Sequence, residues 1–168
     1  MKLFVPTTDG YLADKYAKFS PEDYRKEDTP IRSFPITIEG LPEETKALAL
    51  DFIDYDSIPV CGFAWIHWVM ANIPAEMTEI PENFSQTAET GVQGMSSSGS
   101  KFVGKTSPDV IYRYNGPQPP DQDHDYTLTV YALSDTLPLA NGFYLNEMYK
   151  AMDGKVLAKA SIVLKGRS

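Results

Sequence analysis

The chain has only two histidines, and each stands close to groups that could share a proton with it. His67 lies inside the apolar stretch FAWIHWVMANIP, and His124 precedes Tyr126 in DQDHDYTLTVYAL. Upstream of both, DYDSIP carries Asp54 and Asp56, and YNGPQPPDQDH supplies Gly116, Pro117, Pro119 and Pro120. Two imidazoles, one or two carboxylates and a phenol among apolar walls describe a pocket for a small ligand. Asp54, His67 and His124 also contain the ingredients of a two-His, one-carboxylate metal site able to support oxygen chemistry or hydrolysis. Such sites often carry H-x-D/E spacing in one strand, whereas these three residues come from separate segments. Taken singly, His67 reads as a buried imidazole bonded to a carbonyl, DYD as a solvated turn and the proline-rich loop as a connector. Their order, acid pair, His, Gly/Pro loop, then His-x-Tyr, favours the pocket.

Strands must bring these residues together. ALALDFID alternates so that Leu48, Leu50, Phe52 and Asp54 share a face. In the run from Trp65, the same alternation groups Trp65, His67, Val69 and Ala71 against Ile66, Trp68 and Met70, two apolar faces that predict a central strand. DYTLTVYAL sets Tyr126, Leu128, Val130 and Ala132 against Thr127, Thr129, Tyr131 and Leu133, and KVLAKASIVLKG gives a last strand. If the first two strands are antiparallel neighbours joined by residues 55–62, Asp54 and His67 lie toward one end of the sheet, and His124 and Tyr126 join them if their strand starts there. SPEDYRKED predicts a short helix, with Ser20 as N-cap and Pro21 at the first position. Tyr144, Met148, Ala151 and Met152 predict another, stopped by Gly154. The Ser/Gly/Thr-rich region between Gln86 and Pro108 predicts a long surface loop.

Composition narrows the function. Fifteen Lys and Arg against 23 Asp and Glu give a net charge of −8, with no local basic patch, which argues against nucleic acid and anionic membranes as partners. At 168 residues, one domain spanning 1–168 is expected. No run of apolar residues is long enough for a membrane helix, and Pro6 and Asp9 interrupt the start MKLFVPTTDG, so a cytoplasmic protein is expected. The single cysteine, Cys61, excludes an internal disulfide and the usual zinc frameworks, and reads as a loop thiol without a catalytic role. SSSGS, with Ser96, Ser97 and Ser98, lacks the G-x-S-x-G elbow of a serine hydrolase.

DYDSIP followed by WIHWVMANIP, and YNGPQPPDQDHDYTLTVYAL, resemble the two signature regions of the phosphatidylethanolamine-binding protein family, in its bacterial and archaeal Raf kinase inhibitor-like branch. FPITIEGLP, LPEETKALAL and the segment before GKVLAKASIVLKG also occupy expected places, so nearly the whole chain is covered. The resemblance implies a mostly β protein, an antiparallel Greek-key fold with a few short peripheral helices, and a non-enzymatic binding or regulatory role. It implies a pocket for phosphate-like anions such as a phosphoethanolamine head, formed by Asp54, Asp56, Trp65, His67, Gly116, Pro117, His124 and Tyr126. In it an imidazole N–H, the tyrosine hydroxyl and backbone N–H groups of the Gly/Pro loop would bind phosphoryl oxygens. The carboxylate of Asp54 or Asp56 would orient His67 or receive a ligand ammonium. With His67 as the titrating donor, affinity would rise as pH falls from about 8 to about 6. A kinase or protease partner and a homodimer are also implied; no cofactor is.

The chain departs from the family pattern at several positions. Tyr55 replaces a proline, Ile58 lengthens the first motif, the glycine late in the second is missing from PDQDH, Asp125 stands in place of arginine, and Lys155 replaces a common histidine. Asp125 places a negative charge near the expected anion pocket, although alternation turns its side chain away from His124 and Tyr126.

Overall fold

Alternating apolar residues build twelve strands in this chain, which a computed structural model describes over residues 1–168. In chain order they are β1 (Lys2–Phe4), β2 (Thr7–Thr8), β3 (Tyr11–Leu12), β4 (Arg25–Lys26), β5 (Thr29–Pro30), β6 (Ile36–Glu39), β7 (Ala47–Asp54), β8 (Trp65–Pro74), β9 (Glu79–Ile80), β10 (Val92–Gln93), β11 (His124–Leu133) and β12 (Val156–Gly166). Four short helices accompany them: α1 (Ile58–Cys61), α2 (Phe84–Thr87), α3 (Pro108–Ile111) and α4 (Leu145–Ala151). None is long and apolar enough to cross a membrane.

The main sheet runs β10-β8-β7-β11-β12-β3-β2, so β7 and β11 are central. β7 pairs antiparallel with β8 on one side, and after a long connection β11 returns to its other side. Every residue of β7 is buried. Leu48, Leu50 and Phe52 enter the larger core with Leu128, Val130 and Tyr126, while Ala49 joins a smaller one on the opposite face with Val69, Leu133 and Met148. One pair is parallel, β12 with β3 at Lys165 and Tyr11, so the sheet is mixed rather than purely antiparallel. A second sheet, β1-β6-β9, closes over the larger core through Leu3, Ile36, Ile38 and Ile80.

The alternation expected for β8 breaks at two bulges. Phe52 pairs with Trp68 and Ile53 with Ile66, so His67 is the unpaired extra residue. Trp68 and Met70 therefore face the larger core, and Val69 and Ala71 the smaller one, while His67 packs on Phe52 and Tyr126 at ring separations of 5.8 and 5.0 Å. His67 thus parts from Val69 and Ala71, with which simple alternation groups it. The second bulge lies near Asn72, whose φ of 57° is left-handed and whose side chain bonds the Leu137 backbone through both its oxygen and its nitrogen.

Three other segments differ from expectation. SPEDYRKED forms only a one-turn 3-10 helix at Glu22–Tyr24 before turning into β4. Glu27 and Asp28, at φ 48° and 61°, reverse the chain, and the Arg25 guanidinium ties the turn to the Lys18 and Asp28 carbonyls. Residues 55–62 contain α1, which Gly62 ends in a left-handed conformation at φ 91°. The region after Gln86 is not a plain surface loop: it adds β10 to the sheet and buries Ser96 and Ser98. Helix α4 forms as expected, with Met148 and Met152 buried and Gly154 at φ 70°.

Candidate functional site

At the end of the sheet where β7 finishes, β8 begins and β11 begins, a cavity of about 450 Å³ opens. Its wall includes Asp54, Trp65, His67, Gly116, His124 and Tyr126, six of the eight residues singled out in the sequence. Asp56 and Pro117 are not in the wall. The Asp56 carboxylate accepts the Asp125 backbone N–H at 2.9 Å, which fixes the start of β11 against the turn after β7. Pro117 backs the wall: a Cβ on Gly166 would meet Pro117 Cβ and Tyr126 Cε2 at 2.7 Å each, so the three pack without space between them.

Asp54 closes the face of β7 that begins with Leu48, and register places it opposite Tyr126 and Trp65. Its Oδ1 accepts the Ser57 N–H at 3.0 Å, and its Oδ2 lies 2.8 Å from His124 Nδ1. Ser57 secures the turn: its hydroxyl reaches the Asp54 and Phe63 carbonyls and accepts the Trp65 N–H at 2.9 Å. The buried carboxylate therefore serves His124 and not His67, contrary to expectation. His124 Nε2 is 3.0 Å from Asp121 Oδ1. A carboxylate on each nitrogen favours the doubly protonated ring: burial works against the charge, but the two acids outweigh it and raise the pKa above the ordinary histidine value.

His67 is the opposite case. Its Nδ1 donates to the Asn115 carbonyl at 2.8 Å, the contact of an ordinary buried imidazole, and the Asn115 N–H returns a bond to the His67 carbonyl at 2.8 Å. Because a carbonyl only accepts, the proton sits on Nδ1, which leaves Nε2 as a lone-pair acceptor. Burial lowers the pKa to about 4, so the ring is neutral at physiological pH and is not the titrating donor that the sequence suggested. Tyr126 stays a protonated phenol, pushed well above the usual tyrosine range by burial and by Asp54.

The Gly/Pro loop offers fewer amide donors than expected. Gly116 gives its N–H to the Pro30 carbonyl at 2.8 Å, and Pro117, Pro119 and Pro120 have none. Glycine is required at 116 because a Cβ would overlap the Tyr16 carbonyl and stand 2.6 Å from Pro30 Cβ. Asp28, Gln118 and Lys105 add polar groups to the wall, and Val60, Cys61, Val103, Pro119 and Pro120 add apolar ones. Cys61 is part of the wall, with Sγ 3.3 Å from the Ser57 and Phe63 carbonyls. Asp125 is exposed and points away, as alternation indicates.

Sequence reasoning missed Asn115 and the serines that hold it. The Asn115 side chain bonds Ser96 and Ser98 hydroxyls and the Val110 and Arg113 carbonyls. An asparagine directly before the Gly-Pro step was the available signal. The run SSSGS has no periodicity to mark two of its hydroxyls as buried. The metal alternative is not supported, since His124 has no free nitrogen in this arrangement and no group of three or more His, Cys, Asp or Glu side chains is placed to hold an ion.

Residues 6–166 match the protein family described as phosphatidylethanolamine-binding protein. The chain is 52% identical over 168 residues to the uncharacterized protein YxkA of Bacillus subtilis (strain 168), covering 99% of each chain. It is 33% identical over 132 residues to a UPF0098 protein of Methanothermobacter thermautotrophicus, covering 77% of this chain and 78% of that one. Among solved structures, a phosphatidylethanolamine-binding protein homologue from Chlamydia trachomatis D/UW-3/CX superposes with a TM-score of 0.74 at 26% identity, covering 94% of this chain and 90% of its own. YbcL of E. coli, described as a new member of the mammalian family, superposes at 0.75 with 21% identity over 99% and 98% of the two chains, a likeness of fold. The mostly β fold, its two signature motifs meeting at one cavity, and a family match across almost the whole length place this chain in the phosphatidylethanolamine-binding protein family.

Proposed function

We propose that the cavity binds the head of a small phosphate monoester, phosphoethanolamine being the representative, and that the protein works by binding rather than by turnover. The observation that carries this reading is the pairing of His124, which faces a carboxylate at each ring nitrogen and is anchored by buried Asp54, with a neutral His67 whose Nε2 is left as an acceptor, both in the wall of one cavity. A phosphate group presents acceptor oxygens and, once protonated, a donor hydroxyl, so it matches both rings. Tyr126 adds a hydroxyl, and Asp28, an acidic residue of the same wall, suits an ammonium group. The description of the matching family and the name of the Chlamydia trachomatis homologue point to the same headgroup chemistry.

Binding is favoured over catalysis because the site lacks an activated nucleophile. The Ser57 and Ser98 hydroxyls in the wall are engaged with backbone carbonyls and with Asn115, and a histidine with a pKa of about 4 is a weak base at neutral pH. A kinase or protease partner and a homodimer enter this reading from the family resemblance alone, and a cytoplasmic location from the apolar patterning of the sequence alone.

Calorimetric titration with phosphoethanolamine tests it. Saturable binding to one site is expected, weakened by about 1 kcal/mol in Tyr126→Phe and in His67→Ala, the scale of one neutral hydrogen bond. Circular dichroism would verify folding of each variant. No saturable binding by folded protein at millimolar ligand, or unchanged affinity in both variants, would overturn the reading.

A further inference from the structure

His124 has only two N–H groups to offer. Nδ1–H is committed to Asp54, whose side chain is 5% exposed and is also held by the Ser57 amide. Any oxyanion that reaches this imidazolium must therefore use Nε2–H. In the structure that position is taken by Asp121, 3.0 Å away. The two carboxylates are not equivalent: the Asp121 side chain is 52% exposed and lies on the loop after Pro119 and Pro120, three residues before His124. One carboxylate is built into the turn at the end of β7; the other can rotate into solvent.

We propose that the Asp121 carboxylate masks His124 Nε2–H as an internal competitor, and that a ligand oxyanion reaches His124 only by displacing it. The inference rests on the oxyanion reading of the cavity and adds to it the residue that sets the affinity. Displacement is favoured by the half-exposed position of Asp121, whose carboxylate regains water as it leaves, whereas an unmasked buried imidazolium would attract any small anion in solution. Asp54 keeps the ring charged while Asp121 is away, so the donor persists through the exchange. A ligand that also satisfies His67 and Tyr126 has additional contacts with which to outcompete the internal carboxylate.

Inorganic phosphate, titrated by calorimetry into wild type, Asp121→Ala, Asp121→Asn and Asp123→Ala, tests the mask. Asp123 is the control for loop charge, since its carboxylate bonds Tyr11 and the Ser168 amide and does not touch His124. Removing the contact and a like charge beside the incoming anion should tighten binding about tenfold in Asp121→Ala. Asp121→Asn, which keeps an acceptor oxygen but loses the charge, should fall between, and Asp123→Ala should stay near wild type. A phosphate-dependent change in the His124 Nε2 resonance, larger in Asp121→Ala, should accompany the gain. Binding by Asp121→Ala with none by wild type would support the mask while overturning the oxyanion reading for the native protein. Affinity unchanged or weaker in both Asp121 variants, or an equal gain in Asp123→Ala, would overturn the mask and leave that reading standing. No binding by any variant would overturn both.

Discussion

His67 and Asn115 exchange two hydrogen bonds: the His67 carbonyl accepts the Asn115 N–H at 2.8 Å, and His67 Nδ1 donates to the Asn115 carbonyl at 2.8 Å. The pair joins the bulge of β8 to the residue before Gly116, and it fixes the tautomer of the ring. Nitrogen-detected resonance of the two histidines should separate them clearly. His67 should show a protonated Nδ1 and a bare Nε2 with no titration between pH about 6 and about 8, while His124 should remain doubly protonated above the ordinary histidine value of about 6.5. A His67 ring that titrates near that ordinary value would contradict the assignment.

Ligand affinity should still rise with falling pH, but by a different route from an imidazolium at His67. Above pH about 6 a phosphate monoester is mostly dianionic, and its oxygens meet the lone pair of a neutral His67. A favourable contact needs one proton between Nε2 and the phosphate oxygen, so the complex holds one proton more than the separated partners. By linkage, affinity should increase by up to about tenfold per pH unit from about 8 to about 6 and level off below. The groups around this proton are His124, Asp54 and Tyr126, each already committed to its own charge state or hydrogen bond. His67→Ala should flatten the slope. Affinity independent of pH in wild type, measured by calorimetry in buffers of different ionisation heat, would exclude the shared proton.

Much of this site was legible because its residues sit on strands whose alternation is strong. Leu48, Leu50 and Phe52 point Asp54 to the correct face, and Leu128 and Val130 do the same for His124 and Tyr126. What alternation could not reveal is a bulge, because an extra residue leaves the composition of a strand unchanged while shifting every later side chain to the other face. His67 stands at that point, so alternation groups it wrongly with Val69 and Ala71. The pairing of acids with histidines was also beyond pattern reasoning: Asp54 reaches His124 rather than His67 because β11, and not β8, places a ring nitrogen 2.8 Å from its carboxylate. SPEDYRKED has the capping chemistry of a helix, yet tertiary bonds from Arg25 and the stacking of Arg32 over Tyr24 at 4.1 Å favour a tight turn.

The His124–Asp54 pair should matter for stability as well as for binding. His124→Ala would leave a carboxylate that is 3% exposed with the Ser57 amide as its remaining partner, and breaking a buried pair in this way costs about 3–5 kcal/mol. Adding Asp54→Asn should recover much of that loss by removing the stranded charge. Because the folded pKa of His124 is raised, its contribution is fully present below the unfolded value of about 6.5 and is lost as pH rises through the folded value. Urea denaturation of wild type, the single variant and the double variant would measure this. A double variant no more stable than His124→Ala would show that packing, not the unpaired charge, carries the loss.

A second buried acid, on the opposite face of the sheet from the cavity, should give the fold a separate pH dependence. Asp51 is 2% exposed, and the hydroxyls of Tyr131 and Tyr149 donate to its Oδ2 at 2.9 and 3.1 Å. Burial raises its pKa to about 6; the two hydroxyls and the Lys159 charge pull the other way without compensating. The native state therefore binds more protons than the unfolded chain between about pH 4 and about pH 6, so stability should fall as pH rises through that window and the full penalty should apply above it. At about 1.4 kcal/mol per pKa unit the penalty is about 3 kcal/mol. Asp51→Asn keeps an acceptor for the tyrosines and cannot ionise. Its unfolding free energy relative to wild type should therefore improve by about that amount between pH about 4 and pH about 7, whatever constant cost the amide adds. Chemical denaturation at the two pH values gives the comparison directly. A constant difference between the two proteins across the window would mean that Asp51 titrates as an ordinary carboxylate and that the tyrosine pair fully compensates its burial.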